Sequence, residues 1–269
     1  MTSDIGASSD QLTMPAEDLV TIPFLGIQMA PLNLQQAIHR VANLAHAGNF
    51  SYVVTPNVDH FVTLYPDISE PRNDLFREAY DAAALTLCDS RVVRALARFA
   101  GISLTVVPGS DLTAALFQHE LTSADRVAIV GGDTGLLTDI SRLYPSPDYV
   151  QHVPPMGVLN NPEAMADIVT FVEDANANYV LFAIGAPQSE IIAHQCLKSG
   201  KCRGVGLCIG ASLEFITSAK KRAPVWIQKA GMEWAFRLLS EPSRLWRRYL
   251  VEGPRIFKIF IDHNGSGKN

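Results

Sequence analysis

The sequence contains no run of about 18 or more apolar residues, so no segment is long enough to form a transmembrane helix. Its four cysteines, Cys88, Cys196, Cys202 and Cys208, form no CxxC pair and lack metal-ligand spacing, which favours free thiols in a reduced cytoplasmic setting. The seven histidines include no HExxH pair, and no Asp-x-Asp is present to hold a nucleotide-bound divalent ion. We therefore expect no bound metal, and we expect any chemistry to use a carboxylate.

Signatures of three common enzyme classes are also missing. There is no GxSxG elbow and no Walker GxxxxGK[ST] loop, which argues against an α/β-hydrolase and a P-loop NTPase. A nucleotide-dependent oxidoreductase is disfavoured, because no GxGxxG follows the first strand and no acidic residue ends a second strand at the required spacing.

The last fifty residues, from Lys220 to Asn269, are basic and aromatic in an otherwise acidic chain. They hold eleven Lys and Arg against four Asp and Glu, about +7, whereas the rest carries about −12 and the whole chain −5. All three tryptophans, Trp226, Trp234 and Trp246, lie there among arginines. Two interpretations have equal weight: association with an anionic membrane surface or phosphate, and an ordinary helical hairpin packed on the domain with a solvated basic face.

Short apolar runs typical of buried strands alternate with longer segments of helical period from residue 22 onward. The predicted strands are Tyr52–Thr55, Leu85–Cys88, Arg126–Val130, Tyr179–Ile184 and Val205–Ile209. The predicted helices include Arg91–Ala100, with Val92, Leu96 and Phe99 on one face, and Pro162–Ala175, with Met165, Ile168, Val169 and Val172 on one face. This alternation predicts an α/β fold with a Rossmann-like, mostly parallel sheet and helices on both faces.

Three regions follow from these patterns. Residues 1–20 are polar and acidic, lack the apolar core of a secretory signal, and are expected to form a disordered leader. Residues 21–222 form the predicted α/β catalytic domain. Residues 223–269 form a basic, aromatic helical appendage that we expect to associate with the membrane, and Pro242 is expected to begin its second helix.

Polar residues follow the first two predicted strands. Thr55, Asn57 and Asp59 follow the first, and Asn57 or Asp59 taken singly is best explained as a helix cap. Asp89 follows the second, where it is either the cap of the next helix or a general base at the rim of a cleft. The turn at Pro108-Gly109 is expected to open a helix at Leu112.

Glycine-bearing turns follow the remaining strands. Glycines between a strand and a helix allow backbone N–H groups to face a phosphate. Each turn alone is explained as a helix start, with Asp133 a cap or a ribose ligand and Pro187 at the first helical position. Together they outline a cleft for a phosphorylated, hydroxyl-rich ligand. The predicted substrate-binding residues from these turns are Gly131, Gly132, Asp133, Gly185, Ala186, Pro187, Gln188, Glu190 and Ser212.

The strand exits, in this order, resemble the bacterial WecG/TagA/CpsF family of glycosyltransferases, and the resemblance covers nearly everything after the leader. The segments that carry it are Leu25-Gly26-Ile27, Val54-Thr55-Pro56-Asn57, the Asp89 turn, Val107-Pro108-Gly109-Ser110-Asp111, Gly131-Gly132 and Gly185-Ala186-Pro187. The most specific are Lys220-Lys221-Arg222-Ala223-Pro224 and the stretch 233–250, EWAFRLLSEPSRLWRRYL.

The resemblance implies an inverting, metal-independent glycosyltransferase at the cytoplasmic face of the inner membrane, peripherally bound. A hexose would move from a UDP-sugar to a polyprenyl-diphosphate-linked saccharide in exopolysaccharide or cell-surface glycan biosynthesis. Asp89 is the implied base, Thr55 and Asn57 line its pocket, and the arginines matching the donor-diphosphate contacts are Arg237, Arg244, Arg247 and Arg248. The UDP-sugar is a substrate, so no cofactor is expected; nucleic acid is not an expected partner, and self-association into a homo-oligomer stays open.

The chain departs from the family pattern within the cleft. Cys88-Asp89-Ser90 stands where Pro-Asp-Gly is usual, and Gln188-Ser189 replaces the usual Lys-Gln. These departures favour glucose or another neutral hexose over the N-acetylmannosamine best known for the family. They also motivate an alternative, a non-catalytic, nucleotide-binding membrane adaptor on the same scaffold.

Overall fold

A six-stranded parallel sheet forms the centre of the protein, which is described by a computed structural model covering residues 19–68, 70–217, 223–224, 227 and 233–265. A short antiparallel hairpin, β1 (Ile22–Phe24) and β2 (Ile27–Met29), precedes it. The sheet strands are β3 (Ser51–Val54), β4 (Leu85–Thr86), β5 (Arg126–Gly131), β6 (Asp148–His152), β7 (Tyr179–Ala183) and β8 (Val205–Cys208). Their order in the sheet is β4-β3-β8-β7-β5-β6.

Helices cover both faces of this sheet, and each face has its own apolar core. One core is formed with α2 (Val58–Leu64), α3 (Pro71–Asp81), α4 (Arg91–Phe99), α7 (Pro162–Ala175) and α8 (Gln188–Ser199). The other is formed with α1 (Leu34–Ala45), α5 (Gly109–His119), α6 (Leu136–Leu143) and α9 (Ser212–Ile216). A short 3₁₀ helix, Val158–Asn160, precedes α7. The predicted α/β class with a Rossmann-like parallel sheet is therefore confirmed.

The chain ends in consecutive helical segments. They are α10 (Glu233–Ser240), α11 (Pro242–Trp246), a π-helical segment (Arg247–Glu252) and α12 (Arg255–Gly265). Pro242 begins a helix as predicted, and a second break at Gly253-Pro254 was not predicted. Within the described residues, no helix is both long and apolar enough to cross a membrane.

The last helix is packed on the α/β domain rather than held away from it. Ile256 and Ile259 of α12 belong to the same apolar core as helices α2, α3, α4, α7 and α8. The centroid of the Phe260 ring lies 6.4 Å from that of the Phe24 ring. Arg255 Nη2 lies 3.0 Å from Asp67 Oδ1 and donates to the Tyr65 carbonyl. Apolar burial and these polar contacts together fix α12 against α2.

Several predicted boundaries are wrong. Of the predicted face of α4, Leu96 is buried and Val92 is half-buried, but Phe99 is 85 % exposed, because the buried side turns toward Val93 and Ala97. α5 begins at Gly109, three residues before the predicted Leu112, and Pro108 is its N-cap. Pro187 is the N-cap of α8 and not its first residue.

Other predictions fall outside the described residues. They concern the leader up to residue 18, the Lys220–Arg222 segment and Trp226, as well as the side chains of Arg237 and Arg244.

Candidate functional site

The carboxyl ends of the parallel strands meet at one edge of the sheet, and the order of the strands creates two switch points there. β5 leads into α6 on one face, whereas its neighbour β7 leads into α8 on the other face. β3 and β8 diverge in the same way, into α2 and α9. Ligand sites of open α/β sheets lie at such switch points, so the predicted strand exits flank two of them.

Asp89 is held at this edge mainly by backbone contacts. Its N–H donates to the Pro56 carbonyl (3.1 Å), and its side-chain Oδ1 accepts from the N–H of Gly109 (3.1 Å). Gly109 is the first residue of α5, where the N–H groups lack helical partners and the helix dipole favours negative charge. The carboxylate is therefore oriented by the start of α5. The capping interpretation of Asp89 is wrong, because Ser90 is the N-cap of α4.

Thr55 and Ser212 surround the same glycine. A Cβ atom added at Gly109 would lie 3.0 Å from Thr55 Oγ1 and 3.8 Å from Ser212 Oγ. Ser212 donates its hydroxyl to the Ile209 carbonyl (2.6 Å), and both Ser212 and Thr55 are buried. The structure thus brings together Asp89, Thr55 and Ser212, which come from three different strand exits.

Asn57 and Arg248 meet at the first turn of α2 through Asp59. Asn57 is the N-cap of α2, and its side chain accepts from the Asp59 N–H (3.0 Å). Arg248 Nη2 lies 2.8 Å from Asp59 Oδ2. Burial raises the pKa of the Asp59 carboxyl, although the Arg248 charge acts in the opposite direction. Arg247 is exposed and pairs within its own helical segment, with Glu252 at 3.2 Å.

The turn after β5 is tight and requires glycine. Gly131 has φ of 102° and Gly132 has φ of 76°, and a Cβ at Gly132 would lie 2.2 Å from Leu136 Cδ2. Asp133 caps the start of α6, since its Oδ1 accepts from the N–H groups of Gly135 and Leu136, both at 2.9 Å.

The turn after β7 combines a left-handed glycine with a cis proline. Gly185 has φ of 78°, and the Ala186–Pro187 peptide bond is cis. Gln188 donates its side-chain amide to the Ile184 carbonyl (3.3 Å). Ser189 is buried and donates to the Phe182 carbonyl (3.2 Å). These hydrogen bonds hold the first turn of α8 against the end of β7, and the Gly185 turn lies at the carboxyl edge of the sheet.

Glu190 lies beneath this turn in a buried polar cluster. It is 1 % exposed, burial raises its pKa to about 8, and its Oε2 has no hydrogen-bond partner among the described residues. His60 Nδ1 hydrogen-bonds the Tyr80 hydroxyl and lies 3.9 Å from Glu190 Oε1. Burial, followed by the Arg248 charge, lowers the pKa of His60 to about 3. Burial thus shifts both pKa values in the direction that favours the neutral forms of Glu190 and His60.

Two residues with clear contacts at this edge were not found from the sequence. Gln151, the fourth residue of β6, donates to the carbonyls of Gly131 (2.8 Å) and Asp133 (2.9 Å). His60, the third residue of α2, joins the buried cluster with Tyr80 and Glu190. The sequence offered no signal for either residue, because β6 was not predicted as a strand and the burial of His60 depends on packing.

Two cavities lie away from the strand exits. One, of about 310 Å³, lies between α12 and the end of α2 and is lined by Tyr65, Arg255, Lys258 and His263 among others. The other, of about 410 Å³, is lined by residues including Arg126, Asp167 and Asp174. Neither is lined by a predicted site residue. Arg126, at the amino end of β5, places the second cavity away from the strand exits.

Comparison with protein families gives one match that spans nearly the whole chain. The model of the family described as glycosyl transferase WecG/TagA/CpsF matches residues 22–268. The matched range includes every strand exit described above.

Proposed function

Because the chain belongs to the WecG/TagA/CpsF family of glycosyltransferases, we propose that it moves a hexose from a UDP-sugar to a polyprenyl-diphosphate-linked saccharide, with inversion and without a bound metal. A nucleotide-sugar donor and a glycan acceptor follow from the family. The neutral hexose, with glucose preferred, and the role in exopolysaccharide or cell-surface glycan assembly rest on the sequence departures in the cleft.

The orientation of Asp89 is the observation that carries the proposed mechanism. Gly109 N–H holds Oδ1 at 3.1 Å, beside the Thr55 hydroxyl and at the edge where the glycine turns converge. In this proposal the carboxylate takes the proton of the acceptor hydroxyl as that oxygen bonds to the anomeric carbon. The bond from that carbon to the diphosphate oxygen breaks at the same time, and UDP leaves with the electron pair.

The donor is proposed to lie across the switch point between the Gly131-Gly132 turn and the Gly185 turn. Backbone N–H groups at such turns suit a diphosphate. Arg248 lies at the same edge, where Asp59 holds it in this structure. An arginine beside the departing diphosphate would stabilise its charge by paired hydrogen bonds, so donor binding would compete with Asp59 for Arg248.

We further propose that the protein binds the cytoplasmic face of the inner membrane through its C-terminal helices. Seven of the fifteen exposed large apolar side chains lie within residues 233–265, a small part of the described chain. They are Trp234, Leu239, Trp246, Leu250, Val251, Phe257 and Ile261. The exposed Arg247 and Lys258 lie among them, and such a mixture suits the interface of an anionic bilayer.

The catalytic proposal is tested with Asp89→Asn, which keeps the size of the side chain but removes the base. Transfer from UDP-glucose and three other UDP-sugars to synthetic polyprenyl-diphosphate-glucose is followed by UDP release with and without acceptor. We expect turnover to fall by about 10²–10⁴-fold while UDP affinity stays nearly unchanged. Asp139→Asn, which removes an exposed carboxylate on α6, is the control and should retain full turnover.

An Asp89→Asn enzyme with wild-type turnover would refute the role of Asp89 as the general base. Wild-type protein that releases no UDP from any donor, yet binds UDP, would favour the adaptor alternative.

The membrane proposal is tested by sedimentation with vesicles that contain anionic lipid. Removing residues 223–269 would also uncover the core that Ile256 and Ile259 close, so point variants are the sharper choice. We expect Leu250→Ser, Phe257→Ser and Ile261→Ser combined to weaken vesicle binding strongly, and added salt to weaken it further.

The control is Phe99→Ser with Met156→Ser, which removes apolar side chains that lie elsewhere and are even more exposed. Equal loss of vesicle binding in both sets of variants would contradict a membrane surface at the C-terminal helices.

A further inference from the structure

We propose that Gln151 is a positioning residue that holds the turn after β5 in the form that binds the diphosphate of the donor. This inference rests on the proposed function, since it concerns the same nucleotide-sugar site. Gln151 was not among the predicted site residues, and its contacts are among the shortest side-chain hydrogen bonds at the strand exits.

Gln151 uses both hydrogens of its side-chain amide on one turn. Nε2 lies 2.8 Å from the Gly131 carbonyl oxygen and 2.9 Å from the Asp133 carbonyl oxygen. Both partners are acceptors, so the nitrogen rather than the oxygen of the amide must face the turn. The two bonds fix the orientation of two peptide planes.

The fixed planes determine where the N–H groups of the turn point. In a trans peptide the C=O and N–H vectors are opposed, and the cis bond at Ala186–Pro187 lies elsewhere. Because the carbonyls of Gly131 and Asp133 point at Gln151, the N–H groups of Gly132 and Thr134 point away from it. The Gly132 N–H faces the neighbouring strand β7, since Gly131 pairs with Ala183, whereas the Thr134 N–H forms no backbone hydrogen bond with the described residues. Gln151 thus fixes the Gly131–Gly132 peptide against β7 and directs one open backbone donor, the Thr134 N–H, to the side of the turn opposite its own side chain.

The position of Gln151 follows from the sheet. β6 pairs in parallel with β5 and places Gln151 opposite Ile129, two residues before Gly131. Side chains alternate between faces along a strand, so Gln151 and Tyr149 lie on the face covered by α6, which the turn enters. The rotation of the Gly131 and Gly132 backbone, both at positive φ, makes the turn compact enough for one side chain to bridge it.

The test compares the binding of UDP and uridine to wild-type protein and to Gln151→Leu by calorimetry. We expect the UDP dissociation constant to rise about 10–100-fold, since hydrogen bonds to a charged phosphate are stronger than neutral ones. Uridine lacks the diphosphate, so its dissociation constant should change by no more than about 2–3-fold. A merely structural role would weaken both ligands alike. Thermal unfolding of each variant establishes that the variant is folded.

Two further variants make the comparison decisive. Tyr149→Phe removes another side-chain-to-carbonyl bond from the same face of β6 (Tyr149 hydroxyl to Tyr144 O, 2.8 Å) and should leave UDP binding unchanged. Gln151→Asn stays polar but is one methylene shorter and cannot bridge both carbonyls, so it should weaken UDP binding in the same direction as Gln151→Leu. It replaces that variant if Gln151→Leu does not fold.

The outcomes separate this inference from the proposed function. Unchanged UDP affinity in both Gln151 variants, or equal weakening of UDP and uridine, would overturn the positioning role and leave the glycosyltransferase proposal standing. Wild-type protein that binds no UDP would overturn the donor site and the positioning role together.

Discussion

Helix α12 has two faces with separable tasks, and the buried face should be essential for stability. Ile256 is 1 % exposed and packs in the core beside α2, whereas its neighbour Phe257 is 55 % exposed. The perturbation is Ile256→Ala, with Phe257→Ala as the matched control one residue away. The two variants share a helix and a local sequence, so they differ mainly in burial.

The expected magnitudes follow from that burial. Removing a fully buried isoleucine side chain costs about 2–5 kcal/mol, from lost transfer free energy and the cavity left behind. For a protein of this size, about 2–4 °C of melting temperature is lost per kcal/mol, so Ile256→Ala should melt roughly 4–20 °C below wild type. Phe257→Ala should change the free energy of unfolding by no more than about 0.5 kcal/mol.

Urea unfolding followed by circular dichroism gives the free energy of unfolding of each variant, and a thermal scan gives its melting temperature. The slope of the free energy with urea concentration checks that the variants expose the same surface on unfolding. If Ile256→Ala is as stable as Phe257→Ala, then α12 does not close the core in solution. The C-terminal segment would then be a detachable appendage, and its truncation would be a valid test of membrane binding.

Two other predictions concern the edge of the sheet. The pKa of Glu190 is raised from about 4.5 to about 8, so its contribution to stability is complete below pH 4.5 and is lost as pH rises through 8. The free energy of unfolding should therefore fall between pH 6.5 and 8 in the wild type and fall less in Glu190→Gln; parallel urea profiles at the two pH values would refute this. Gly132→Ala should lower the free energy of unfolding by about 1–3 kcal/mol more than Gly157→Ala does. Both glycines have φ of 76°, so the backbone strain is the same, but a Cβ at Gly132 would collide with Leu136 and a Cβ at Gly157 would meet no atom within 4 Å. Equal melting temperatures of the two variants would show that the turn can widen.

The strands that the sequence predicted are those with continuous apolar runs. A strand buried on both faces consists of such a run, and all five predicted runs correspond to strands of the sheet. β6 was missed because it is an edge strand, half-buried along most of its length, with Asp148 and Gln151 among its five residues. β1 and β2 were missed because three-residue strands are too short for a period of two to be recognised.

The site was predictable to the extent that it depends on strand exits. The carboxyl ends of parallel strands must share one edge, so Asp89, Thr55 and Ser212 could be expected to converge before any coordinates were known. The contact of Gln151 with Gly131 could not be expected in this way, since it joins residues 20 apart and depends on which strand pairs with β5. Strand order is a property of packing, which no local pattern contains.

The departure from the family pattern around Asp89 is explained by how the turn is held. Cys88 is buried, and its carbonyl accepts from the Val107 N–H (2.8 Å); this bond and the Asp89 N–H bond to Pro56 are formed by the backbone and require no particular side chain. Ser90 caps α4 by accepting the Val93 N–H (3.3 Å), so a serine there has a structural role of its own. Cys-Asp-Ser can therefore hold the carboxylate against Gly109 without the usual proline and glycine. The departure that motivated the adaptor alternative thus gives that alternative no structural support, and acceptor-dependent UDP release by the wild-type protein is the measurement that separates the two functions.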